Sequence, residues 1–174
     1  MRSRRSCEGL PRLLFPLTLT LITVLILTVA LITDTESGER KPVKPSPKDK
    51  CPVCGMFVAK YRDFLAEIVF KDGSYAVFDG TKDMLKYYFN IGRYNPSKKR
   101  SEIDSIYVTD YYNLTFMDAY HAYYVLGSDI YGPMGKELIP LQKEGDAKEF
   151  MKDHKGKSLL RFGDITQQMV KGLD

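Results

Sequence analysis

Positions 13–33 hold no charged side chain, and this run constrains the chain before anything else. As a helix rising roughly 1.5 Å per residue it matches a hydrocarbon core of about 30 Å. Leu, Ile, Val and Thr dominate it, so such a helix has no polar face with which to rest on a soluble core. Pro16 falls in the first turn, where a missing N–H does little harm. The segment reads either as a cleaved secretory signal or as a retained signal anchor. It is long for a signal core, and the best small-residue site, Thr28-Val29-Ala30, is poor and lies inside it, so retention is the expectation. Arg2, Arg4, Arg5 and Arg12 place residues 1–12 in the cytoplasm. Everything beyond Asp34 is then outside the inner membrane, in the periplasm or on its outer face.

That topology sorts the three cysteines. Cys7 precedes the apolar run and cannot be a lipoprotein cysteine, so it reads as an incidental thiol. Cys51 and Cys54 remain on the outer side. The net charge of +4 comes from well-mixed acids and bases and argues against a nucleic-acid partner.

Residues 34–50 carry Pro42, Pro45, Pro47 and several lysines but no aromatic side chain, and read as a tether. The folded part is expected over 51–174. Within it, 64–70 and 75–78 read as strands joined by Lys71-Asp72-Gly73-Ser74, a hairpin signal. Met84, Leu85, Tyr88 and Phe89 recur at helical spacing over 82–90, and 103–108 alternates as a strand. The order then repeats. A strand is predicted at 119–126, a Gly-rich connection at 127–135, a strand at 137–141, a helix at 146–154, a strand at 157–162 and a short helix at 164–171. The fold class is therefore α+β: two β-β-α-β units, 51–112 and 113–174, with mainly antiparallel sheet.

The strongest chemical signal is Cys51-Pro52-Val53-Cys54-Gly55-Met56, with three sulfur side chains in six residues. Gly55 permits positive φ, so the backbone can fold around an ion. Thiolate and thioether are soft donors and favour Cu(I) over hard ions. Three other readings stay open. Zinc would need four ligands, and Cys51, Cys54, His121 and His154 are the only Cys/His set outside the membrane. A thiol–disulfide oxidoreductase would place the pair at a helix N-terminus after a strand. A structural disulfide would close only a small loop.

Met134, in Tyr131-Gly132-Pro133-Met134-Gly135, lies outside any regular element and becomes a candidate sulfur ligand in the company of Cys54 and Met56. His121 is a possible nitrogen ligand, though a solvated strand histidine is the simpler account. His154 ends a helix, where an imidazole complements the dipole. Asp79 and Asp110 lie at predicted strand ends, where turn chemistry accounts for them. No phosphate loop, nucleophile elbow or zinc-protease helix occurs, so an enzyme is not expected.

The motifs at 51–58 (Cys-Pro-Val-Cys-Gly-Met-Phe-Val), 78–84 (Phe-Asp-Gly-Thr-Lys-Asp-Met) and 108–112 (Val-Thr-Asp-Tyr-Tyr) resemble the NosL family. So do those at 122–128, 132–140 (Gly-Pro-Met-Gly-Lys-Glu-Leu-Ile-Pro) and 147–156, and together they span most of 51–166 in the family's order. The resemblance implies a membrane-attached Cu(I)-binding accessory protein that supplies copper to the copper–sulfide centre of nitrous oxide reductase or a related client. It implies two β-β-α-β units, as in the organomercurial lyase fold. It also implies a metal site on Cys54, Met56 and Met134, with Cys51 and His121 as further candidates.

Overall fold

The computed structural model describes residues 40–174. Among them no helix is long and apolar enough to cross a membrane. The predicted anchor at 13–33, Cys7 and the first part of the tether lie outside the described residues.

The chain order is β1 (Ala66–Phe70), β2 (Tyr75–Phe78), α1 (Thr81–Phe89), α2 (Ile91–Tyr94), β3 (Ile103–Thr109), β4 (Phe116–Asp118), β5 (Tyr123–Gly132), β6 (Gly135–Leu141), α3 (Glu144–Asp153), β7 (Ser158–Arg161) and α4 (Gln167–Lys171). One sheet runs β2-β1-β3-β4 and the other β6-β5-β7, with every pairing antiparallel. The two sheets share a logic: β1 and β5 are central, each flanked by its hairpin partner and by the strand that returns after the helix. The predicted alternation of strands and helix in each half is thus present, with β4 as an addition the sequence reading did not contain.

Alternation along the central strands assigns the faces. Ala66, Ile68 and Phe70 of β1, with their cross-strand neighbours Ile106 and Val108, enter a core shared with Met84, Leu85 and Tyr87 of α1. Tyr124, Leu138, Val170 and Leu173 from the second half enter the same core. The opposite face of the second sheet, Val125, Ile139 and Leu141, packs on Ala147 and Phe150 of α3. The second sheet is therefore covered on both sides, and the halves are held together by common apolar burial rather than a linker.

Four expectations are corrected. The described part of the tether is docked, not free: Val43 N–H donates to both Glu67 carboxylate oxygens at 2.9 and 3.0 Å, and the Tyr107 hydroxyl donates to the Arg40 carbonyl. Glu67 and Tyr107 share the face of the first sheet that points away from the core, and this strap covers it. Residues 119–121 form a turn, because Asp118 accepts the Tyr120 N–H at 2.6 Å and ends the strand. The Gly-rich stretch 127–135 is mostly strand: β5 continues through a register shift to Gly132, leaving Pro133 and Met134 as a two-residue hairpin turn. Phe64 belongs to a 3-10 turn and not to β1.

Glu67 is fully buried, and that burial pushes its carboxyl from 4.5 up to about 7, against the opposing effect of the Val43 N–H. Buried Glu137 is pushed the same way, to about 8. For an acid raised on folding, the unfolded chain releases its proton first as pH climbs. Stability is therefore lost between pH 4.5 and about 7 on account of Glu67. Glu67→Gln removes that ionisation while keeping an acceptor for Val43. In urea melts across this window the variant is expected to gain on the natural chain as pH rises; a constant difference would refute the assignment.

Candidate metal centre

Residues 51–56 fold as a tight loop. Cys51 N–H donates to the Met56 carbonyl and Gly55 N–H to the Cys51 carbonyl, both at 2.9 Å. Gly55 sits at φ +81°, the left-handed conformation that the sequence pattern anticipated. Lys50 and Phe57 pair across the base of the loop as a bridge. This geometry turns backbone N–H groups toward sulfur: those of Val53 and Cys54 reach Cys51, and that of Met56 reaches Cys54. Amide hydrogens aimed at sulfur favour a thiolate once a cation is present to hold it.

Opposite the loop stand two acids. Asp79 follows the end of β2, and Asp83 lies in the first turn of α1. The Cys54 thiol donates to Asp79 Oδ1 at 3.2 Å, and the Cys51 thiol to Asp83 Oδ2 at 3.5 Å. One ligand atom from each of the four residues lies within 4.8 Å of the others. Asp79 is 0% exposed and Asp83 2%. Asp83 is balanced by Lys86 at 3.7 Å, whereas the second oxygen of Asp79 is buried with no hydrogen-bond partner. An unpartnered carboxylate oxygen at this depth is costly unless something positive or protic meets it. Two thiols, two acids and one orphaned oxygen together fit a metal ion.

Cys51 is 1% exposed and Cys54 is half-buried, so Cys54 is the sulfur that an incoming ion meets first. Burial pushes the Cys54 thiol up to about 11, with Asp79 adding to it, and pushes Cys51 higher still. Both cysteines are free thiols. A catalytic redox pair works through an accessible sulfur with a depressed pKa, whereas burial raises both thiols here. Nor does the loop open a helix of any length; only two short 3-10 turns, Val58–Lys60 and Arg62–Phe64, follow it before β1.

Met56 is half-buried on the same loop. Met134 is 42% exposed at the tip of the β5–β6 hairpin, and its carbonyl accepts the Lys82 ammonium at 2.6 Å, one residue from Asp83. His121 stands on the exposed turn after β4, with Nδ1 3.2 Å from Asp118, and is not a member of the Cys/Asp cluster. His154 caps α3, pairing with Asp129 at 3.2 Å, so the four-residue Cys/His zinc set is not assembled. Asp79 and Asp83 are the members of this candidate cluster that the sequence motifs did not bring forward. The available signal was two acids four apart astride a helix start, within Phe78-Asp79-Gly80-Thr81-Lys82-Asp83-Met84. Asp110, by contrast, does serve its turn, accepting the N–H groups of Tyr112, Asn113 and Gln142.

The NosL family model matches residues 42–170. The copper-binding lipoprotein NosL of Stutzerimonas stutzeri is 30% identical over 152 residues, covering 79% of this chain and 76% of that protein. Among solved structures, the copper chaperone NosL from Shewanella denitrificans superposes with a TM-score of 0.63 at 24% identity, over 74% of this chain and 97% of that one. The solution structure of apo-NosL from Achromobacter cycloclastes gives a TM-score of 0.43 at 27% identity, over 60% and 87%. The matched span takes in the Cys51–Met56 loop, both acids and the Met134 hairpin, and on these grounds the chain belongs to the NosL family.

Proposed function

We propose that this chain is a Cu(I) carrier that hands the ion to a copper enzyme outside the inner membrane, nitrous oxide reductase or a related client. The observation that carries this reading is the convergence of the Cys54 thiol on the buried, half-unpartnered Asp79. Soft sulfur selects Cu(I), and the acids supply negative charge without competing as ligands for so soft an ion. Charge also limits the number of thiolates. Two thiolates and two carboxylates around one monovalent ion would leave a large uncompensated charge in a buried place. A single thiolate at Cys54, completed by the thioethers of Met56 and Met134, removes one of those negative charges, with Cys51 retained as a thiol donating to Asp83.

Such a site delivers by ligand exchange. Its low coordination leaves space for a client's ligand to attach before the last chaperone sulfur leaves, so the ion is never free. Methionine donors need no deprotonation and resist the oxidising exterior better than further thiols would. The apolar run at 13–33 would hold the domain at the outer face of the membrane. That placement agrees with the lipoprotein character of the Stutzerimonas stutzeri relative.

Anaerobic titration of the full chain with Cu(I) against a competing chelator tests the proposal. The expected result is one tightly held ion per chain, with X-ray absorption dominated by two or three sulfur scatterers. A nitrogen shell would bring in a histidine, of which His121 is the more exposed. Selective retention of four-coordinate zinc would overturn the copper reading.

A further inference from the structure

Lys82 lies in the first turn of α1 and is 1% exposed. Both features are unfavourable. A helix N-terminus repels a cation, and burial of an ammonium costs free energy unless it is paired or hydrogen-bonded. An apolar side chain would fill the same volume without either cost, so the ammonium calls for a reason of its own. Its contacts supply one. Nζ donates to the Met134 carbonyl at 2.6 Å and to the Leu173 carbonyl at 3.4 Å, and lies 3.8 Å from the Asp174 carboxylate. The Lys82 backbone N–H meanwhile donates to buried Glu137 of β6 at 2.5 Å.

The hairpin tip is exposed, with Tyr131 at 64% and Met134 at 42%. Below the Pro133-Met134 turn the strands pair Gly132 with Gly135 and Tyr131 with Lys136. One charged group thus joins two segments more than fifty residues apart in sequence, the turn that carries Met134 and the helix start that carries Asp83. Asp83 in turn holds the Cys51 thiol.

We propose that Lys82 is a positioning residue for copper, fixing the backbone of Met134 relative to the Cys51–Met56 loop so that the thioether is presented to the ion. This rests on the reading of Met134 as a ligand. Lys82 itself does not touch copper. It lowers the ordering that Met134 must undergo when the ion arrives.

The test uses the full chain with Lys82→Met, which keeps the length of the stem and removes the charge, alone and combined with Met134→Leu. Lys82→Met is expected to weaken Cu(I) about tenfold, the usual scale for a group that orients a ligand. Added to Met134→Leu it should cost nothing further, because both act through one thioether. In the copper-free chain, amide hydrogen exchange should accelerate at 131–136 and not in β1 or β3. Should Lys82→Met fail to fold, Lys82→Gln, which keeps a donor too short to reach, replaces it with the same expectations. Unchanged exchange at the hairpin tip overturns the proposal, as do additive losses in the double variant. A Met134→Leu chain with natural affinity refutes instead the ligand reading, and the exchange data, taken without copper, separate that failure from a failure of the anchor.

Discussion

Cys54→Ser is expected to lower Cu(I) affinity by about a hundredfold or more, roughly 2.7 kcal/mol, because a hydroxyl is a hard donor that keeps its proton. Cys51→Ser should cost far less, since Cys51 is deeper and its thiol is engaged with Asp83. The same titrations carry a pH signature. Burial holds the Cys54 thiol near 11, so at neutral pH it is protonated and must lose that proton to bind. Below that pKa, affinity rises by about tenfold per pH unit for each proton displaced. One thiolate therefore predicts a slope of about ten per unit between pH 6 and 8, and two thiolates a slope of about one hundred. Competition measurements at three pH values settle the count, and a Cys54→Ser chain that still holds copper tightly removes the site altogether.

What the sequence disclosed and what it hid divide along the range of the interactions involved. Asp72-Gly73 announced the first hairpin, and the spacing of Met84, Leu85, Tyr88 and Phe89 announced α1, because each signal acts within a few residues. The loop at 51–56 was legible for the same reason: sulfur spacing and one glycine suffice to describe it. Asp79 was hidden behind a sufficient local explanation. An acid before a glycine at a strand end ordinarily serves a turn, as Asp110 does here. That the Asp79 carboxylate instead faces a thiol 25 residues earlier is a property of the packed sheet.

The strap at 40–50 was misread in the same way. Proline and lysine without aromatics describe a segment unable to form its own core, which is correct, yet a buried glutamate on β1 supplies a partner for its Val43 amide. The Gly-rich stretch before Met134 shows the converse. Glycine raises the local cost of extension, and cross-strand pairing with β6 overrides it.

Gly80→Ala is expected to destabilise the chain by about 3 kcal/mol, a fall in melting temperature on the order of 10 °C. The cause is not backbone conformation. Gly80 caps α1 at φ −168° and ψ 159°, extended geometry open to any residue. The space is what forbids a side chain, because a Cβ there would sit 2.2 Å from Glu137 Oε2. Glu137 cannot retreat cheaply. Its other oxygen accepts the N–H groups of Lys82 and Leu138 at 2.5 and 2.9 Å, and its stem already lies against Gly132. Either the carboxyl abandons two buried amides or the start of α1 moves, and that start carries Lys82 and Asp83. Gly55→Ala offers the control with the opposite mechanism: open space around the position but φ +81°, for a cost of about 1 kcal/mol. Thermal melts of the two variants should therefore differ by about 2 kcal/mol in stability at the midpoint, with Gly80→Ala the weaker. Equal melts would mean that Glu137 has a free alternative position and that the helix start bearing Asp83 is not held by it.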